Sequence, residues 1–129
     1  MSFTYRIDAE QGLMFLTAEG EVTQAERVET MRAWMADPKF RPGLNTLFDV
    51  SQSTSTPSLN ELKELIGLVA RQSAAIGKIK LAIFASRAIT FGVARQFATL
   101  ADPGPLEVQV FGSRDDALAW LHKDTRKSE

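Results

Sequence analysis

Six hydroxyl side chains, Ser51, Ser53, Thr54, Ser55, Thr56 and Ser58, fall within eight positions around Pro57. Such a cluster suits anion chemistry when it stands at a helix start. A hydroxyl at Ser58 can accept from a free backbone N–H of the first turn, and the same donors with the helix dipole can hold a negative group. The stretch is therefore a candidate rim for a ligand phosphate. Ser58 is a candidate phosphorylation site, where modification would add about -1.5 to -2 charges and reset a contact. A solvated loop ending in an N-cap accounts for the same residues. Asp49, at the end of the expected strand Leu47-Phe48-Asp49-Val50, is the best-placed carboxylate, because open α/β sheets bind ligands beyond the carboxyl ends of their strands. It could equally accept from backbone N–H groups of the following loop. It has no catalytic partner in view.

The remaining chemistry-bearing residues do not assemble into a reaction centre. His122 is the sole histidine, and a cation near the end of a helix is ordinary capping chemistry. Glu61 with Glu64, and Asp115 with Asp116, are carboxylate pairs without a histidine or a third carboxylate at ligand spacing. There is no cysteine, which removes thiolate zinc sites, disulfides and a cysteine nucleophile. The glycines are scattered singly, forming no phosphate loop, and no serine sits in a Gly-x-Ser-x-Gly elbow. The expectation is a protein without catalytic residues, metal or cofactor.

The 129 residues suffice for one ordinary domain, and 44% hydrophobic with 24% charged residues is a globular composition. A formal charge of -1 supplies no positive field for nucleic acid. The apolar runs are strand-sized, so no integral membrane segment is expected. Met1 to Arg6 does not read as a secretory signal. A cytoplasmic protein is expected.

The elements that must position the hydroxyl cluster follow from periodicity. Phe3, Tyr5 and Ile7 alternate with polar residues, and after the turn residues Asp8 to Gly12 a second strand runs from Leu13 to Gly20, giving a hairpin. Thr23 with Glu26 is a capping-box signature opening a helix. Its inner face is read as Gln24, Val28, Met31 and Met35, with Trp34 at the margin. Asp37-Pro38 ends it. The third strand and the hydroxyl-rich turn lead to a helix opening at Ser58, whose stripe is read as Leu59, Leu62, Ile66, Val69 and Ile76. Leu68 lies off this stripe and is a candidate exposed contact residue. Gly77 closes the helix, and Ile79 to Ala85 forms a fourth strand. A helix from about Ile89 to Ala101 turns Ile89, Val93, Phe97 and Leu100 inward and Phe91, Arg95 and Ala98 outward. Phe91 beside Arg95 is a candidate contact surface. Leu106, Val108 and Val110 alternate in a fifth strand, Ser113 starts a last helix, and the chain from Lys123 is expected to fray.

This order of elements resembles the STAS domain of anti-sigma factor antagonists, and more closely the SpoIIAA-like branch also labelled STAS/phosphatidylinositol-transfer-like. The stretches that carry the resemblance are Leu47 to Ser51, Lys80 to Ala85, Phe91-Gly92-Val93-Ala94-Arg95, and Val108 to Phe111 followed by Asp116 to Leu121. It implies an α/β fold over residues 1–129: one SpoIIAA-like domain with a mixed five-stranded sheet, an N-terminal hairpin and four helices. It also implies a non-catalytic regulatory role. Anti-sigma factor antagonists carry an Asp-Ser-Ser-Gly segment at the start of the second helix, whose serine is phosphorylated. The corresponding Ser55-Thr56-Pro57-Ser58-Leu59 lacks that aspartate and glycine, so the resemblance does not carry the switch over to Ser58.

Two functions are open. The first is a regulatory module that contacts a protein partner, or a second copy of itself, through Asp49, Ser51, Ser53, Thr56, Ser58, Leu68, Phe91 and Arg95. The second is a carrier of a small amphipathic or lipid-like ligand. For it, Met14, Phe15, Met31, Trp34, Met35, Phe91 and Phe97 offer flexible and aromatic pocket-lining side chains, which an ordinary core also uses.

Overall fold

The computed structural model describes residues 2–123, so the tail beyond Lys123 lies outside the described residues. The hairpin forms as its alternation dictates. β1 (Ser2–Asp8) pairs antiparallel with β2 (Leu13–Gly20), with Phe3 opposite Ala18 and Ile7 opposite Met14. Every later connection is a helical crossover. β3 (Asn45–Ser53), β4 (Ile79–Phe84) and β5 (Leu106–Phe111) add in parallel beside β2, giving a sheet of order β1-β2-β3-β4-β5.

Because each parallel strand is laid on the same side of the last, right-handed crossovers place their helices on one sheet face. That face carries α1 (Gln24–Ala36), α2 (Leu59–Arg71) and α4 (Ala88–Leu100), with the single turn α3 (Ser73–Ile76) between α2 and β4. α5 (Arg114–His122) follows the last strand and packs on the opposite face, where Ala117 and Leu121 meet Leu13, Phe15, Leu47 and Ala82. The strand residues alternate accordingly. Met14 and Leu16 face the three helices, and Leu13 and Phe15 face α5.

Both capping boxes form: Thr23 with Glu26 opens α1 and Ser58 with Glu61 opens α2. The single long helix expected after Pro57 is interrupted at Gln72, whose φ -107 and ψ 17 leave the helical region. The break re-aims the next turn so that Ile76 is fully buried, and it raises the helix number from the expected four to five. Gly77 follows at φ 71, ψ -165, a conformation that only glycine adopts readily.

Three helix faces differ from the sequence reading. In α2, Leu68 is buried at 7% exposure, while Leu59 is 44% exposed and Ile66 half-buried. The true stripe is Leu62, Leu65, Leu68 and Val69. Counting Leu59 and Ile66 while passing over Leu65 rotates the inferred face by most of one residue step of about 100°. In α1, Trp34 is central rather than marginal, and its neighbours inside are Arg27 and Met31. In α4, Thr90 and Ala94 are the buried residues, and Ile89 is 67% exposed.

Candidate ligand cavity

The interior between the sheet and α1, α2 and α4 is incompletely filled. A cavity of about 130 Å³ runs there, walled by Met14, Leu16, Thr46, Phe48 and Leu81 of the sheet and by Met31, Trp34, Leu62, Leu65 and Phe97 of the helices. Small side chains at Ala18, Ser53, Thr90 and Ala94 line it as well, which is the local reason the space stays open. At about 24 cal/mol per Å³, a void of this size forgoes on the order of 3 kcal/mol of packing. A cavity of comparable size in another protein's apolar core accepts benzene.

The wall is apolar except at a few groups. Arg27, 9% exposed, donates from Nη2 to Val22 O at 3.1 Å and from Nη1 to Gln24 Oε1 at 3.1 Å. Its Nη1 stands 3.8 Å from Glu61 Oε1. Burial pulls the Arg27 pKa below its ordinary value, and the nearby carboxylates of Glu61 and Glu26 pull it back. An arginine remains charged under such a shift. Among the described residues no Asp or Glu lines the cavity. Trp34, 4% exposed, carries the buried side-chain polar atom that has no hydrogen-bond partner among the described residues, Nε1.

The hydroxyl-rich stretch divides along the sheet. Ser51 and Ser53 belong to β3 and not to a loop, because the strand runs to Ser53. Ser53, Ser55, Thr56 and Pro57 line one end of the cavity. Ser53 Oγ donates to Ser55 O at 2.9 Å, Ser55 Oγ donates to Val22 O at 3.2 Å, and Arg87 donates to Ser53 O, so this end is stitched to the segments preceding α1 and α4. Asp49 is four residues before the strand end and faces away from the cavity. Its Oδ1 accepts from Ser51 N at 2.9 Å and Ser51 Oγ at 2.6 Å, a local turn-like bond. Beside it, a second and more polar space of about 270 Å³ is walled by Thr17, Phe15 and Arg114 on the α5 side.

Of the eight residues singled out in the sequence, Ser53 and Thr56 therefore border the cavity. Ser58 is exposed and engaged as the N-cap, its Oγ accepting from Glu61 N at 3.1 Å. Leu68 is in the core and not a surface contact. Phe91 is half-buried and Arg95 exposed, both outside the cavity wall. Among the residues read as possible pocket lining, Met14, Met31, Trp34 and Phe97 are in the wall, and Phe15, Met35 and Phe91 are not. Arg27, Thr46 and Thr90 were not singled out. Arg27 was legible in principle, since Arg27, Met31 and Trp34 are spaced as one helix face. Among the described residues, no group of three or more His, Cys, Asp or Glu converges as a metal ion requires, and no helix is long and apolar enough to cross a membrane.

The sheet order, the parallel crossovers and the position of the helices define a SpoIIAA-like fold. A crystal structure of an uncharacterized protein of the DUF3478 family from Shewanella loihica PV-4, itself described as SpoIIAA-like, superposes with a TM-score of 0.63 at 19% identity, over 93% of this chain and 94% of that one. No protein-family profile and no curated protein matches the sequence.

Proposed function

We propose that this protein is a non-catalytic binding module that takes a small, mostly apolar molecule into the cavity between its sheet and α1, α2 and α4. The observation that carries the reading is the cavity itself: about 130 Å³ of unfilled interior lined almost wholly by side-chain carbon. Cores are normally close-packed, and an unfilled volume of this size lowers stability, which a ligand would restore by filling it. The test is native mass spectrometry of protein purified without denaturation, followed by thermal unfolding with added 1-hexanol or hexanoate. A bound organic mass, or a saturable rise in Tm, supports the reading. A clean apo mass together with an unmoved Tm for both probes contradicts it.

A second reading rests on a different observation. Leu59 and Ile89, the exposed large hydrophobic residues, stand at the starts of α2 and α4, helices that both begin beyond the carboxyl ends of their preceding strands. With Ser58 also exposed there, this edge suits contact with a protein partner or a second copy, and phosphate on Ser58 would place new charge beside it. Crosslinking of wild type, Leu59→Asp, Ile89→Asp and Ser58→Asp decides it. Partners lost in the variants support this edge as the contact, and the same partners in all four exclude it.

A further inference from the structure

The cavity wall has a sign. Among the described residues Arg27 is the charged residue that lines it and no carboxylate does; the nearest counter-charge, Glu61, is outside the lining, with its Oε1 3.8 Å from Arg27 Nη1 and its side chain 39% exposed. The hydroxyls of Thr46, Ser53, Ser55 and Thr90 all donate to backbone carbonyls at 2.9–3.2 Å. The guanidinium carries five N–H groups, of which the contacts to Val22 and Gln24 occupy a part, so it retains donor capacity for an anion.

Resting on the reading of this cavity as a ligand site, we propose that its ligand is a small monocarboxylate, held at its head by Arg27 with its apolar body in the cavity. A buried guanidinium facing an apolar space gains a charge-assisted hydrogen bond from a carboxylate, whereas an amine brought there meets a like charge.

The experiment compares hexanoate, 1-hexanol and hexylamine by calorimetric titration against wild type, Arg27→Gln and Glu61→Gln. Wild type is expected to bind hexanoate at least about tenfold more tightly than 1-hexanol and to reject hexylamine. Arg27→Gln removes the preference for the carboxylate, and Glu61→Gln, which leaves the guanidinium in place, retains it. Should Arg27→Gln not fold, the wild-type head-group series with Glu61→Gln still decides. Equal affinity for 1-hexanol and hexanoate would overturn the assignment of Arg27 while leaving the cavity reading intact. No binding of any of the three probes to wild type removes the cavity reading and this one together.

Discussion

Glu61 Oε1 accepts the Ser58 backbone N–H at 2.9 Å and, from the other side, lies 3.8 Å from Arg27 Nη1. One carboxylate oxygen thus joins the cap of α2 to the charged residue in the cavity wall. Gln24 adds to the junction by donating to Glu61 O at 3.1 Å and Glu64 Oε1 at 2.9 Å. The helix start that the hydroxyl cluster marks and the cavity that the fold encloses are therefore mechanically connected through α1.

That connection separates two kinds of variant at the α2 start. Ser58→Ala removes the cap and is expected to cost about 1 kcal/mol, whereas Ser58→Asp keeps an acceptor that the helix N-terminus favours and stays near wild type. Glu61→Gln retains a competent capping box and loses chiefly a half-exposed ion pair, a change below about 1 kcal/mol. Urea denaturation of the three variants checks the order.

Leu68→Asp is expected to destabilise by at least about 3 kcal/mol, because it removes a core side chain and places a carboxylate among the apolar residues of the main cluster. Ile89→Asp, at a position 67% exposed, is expected to shift stability by no more than about 0.5 kcal/mol. Equal midpoints in denaturant for the two variants would contradict this assignment of faces.

Filling the cavity is expected to trade binding for stability. Ala94→Leu puts a good helix former of larger volume into the wall and is expected to add about 1 kcal/mol. The same variant is expected to lose the Tm rise that hexanoate gives the wild type.

Gly77→Ala is expected to lose about 1–3 kcal/mol, since an added Cβ would stand 3.0 Å from Gly43 N and the residue's φ of 71 is in the left-handed region. Thermal unfolding of the purified variant measures the loss.

Tyr5 donates its hydroxyl to Asp37 Oδ2 at 2.6 Å, tying β1 to the end of α1. This bond, with the N–H of Lys39, holds the Asp37 carboxyl below its ordinary value, and the same bond holds the Tyr5 phenol above its own. A depressed carboxylate stabilises the fold above the unfolded pKa and loses that contribution as pH falls through the folded one. The raised phenol contributes below its unfolded pKa and loses it as pH rises through the folded one. Carboxyl-detected NMR titration is expected to give Asp37 a midpoint below 3.8, moving upward in Tyr5→Phe.

Elements were legible in the sequence where a local rule has one solution. The two capping boxes fix the starts of α1 and α2, and strict alternation fixes β1 and β5. Helix faces were less legible where apolar residues cover more than half the circumference. In α2, Leu59, Leu62, Leu65, Ile66, Leu68 and Val69 allow two stripes, and only the sheet selects between them. The cavity was hidden for a related reason: it results from small residues on four separate elements, Ala18, Ser53, Thr90 and Ala94, none unusual in its own segment. Asp49 was misplaced because the strand continues to Ser53, leaving the carboxylate in mid-strand on the α5 side.

The two tryptophans lie on opposite faces of the sheet, Trp34 in the cavity wall and Trp120 of α5 against Phe111. Their indole N–H resonances, assigned with Trp34→Phe, report on the central claim directly during titration with hexanoate and 1-hexanol. Occupancy of the cavity predicts a saturable shift of the Trp34 signal with the Trp120 signal unmoved. A Trp34 resonance that stays in place to millimolar concentrations of both probes, or that moves only in step with Trp120, would contradict it.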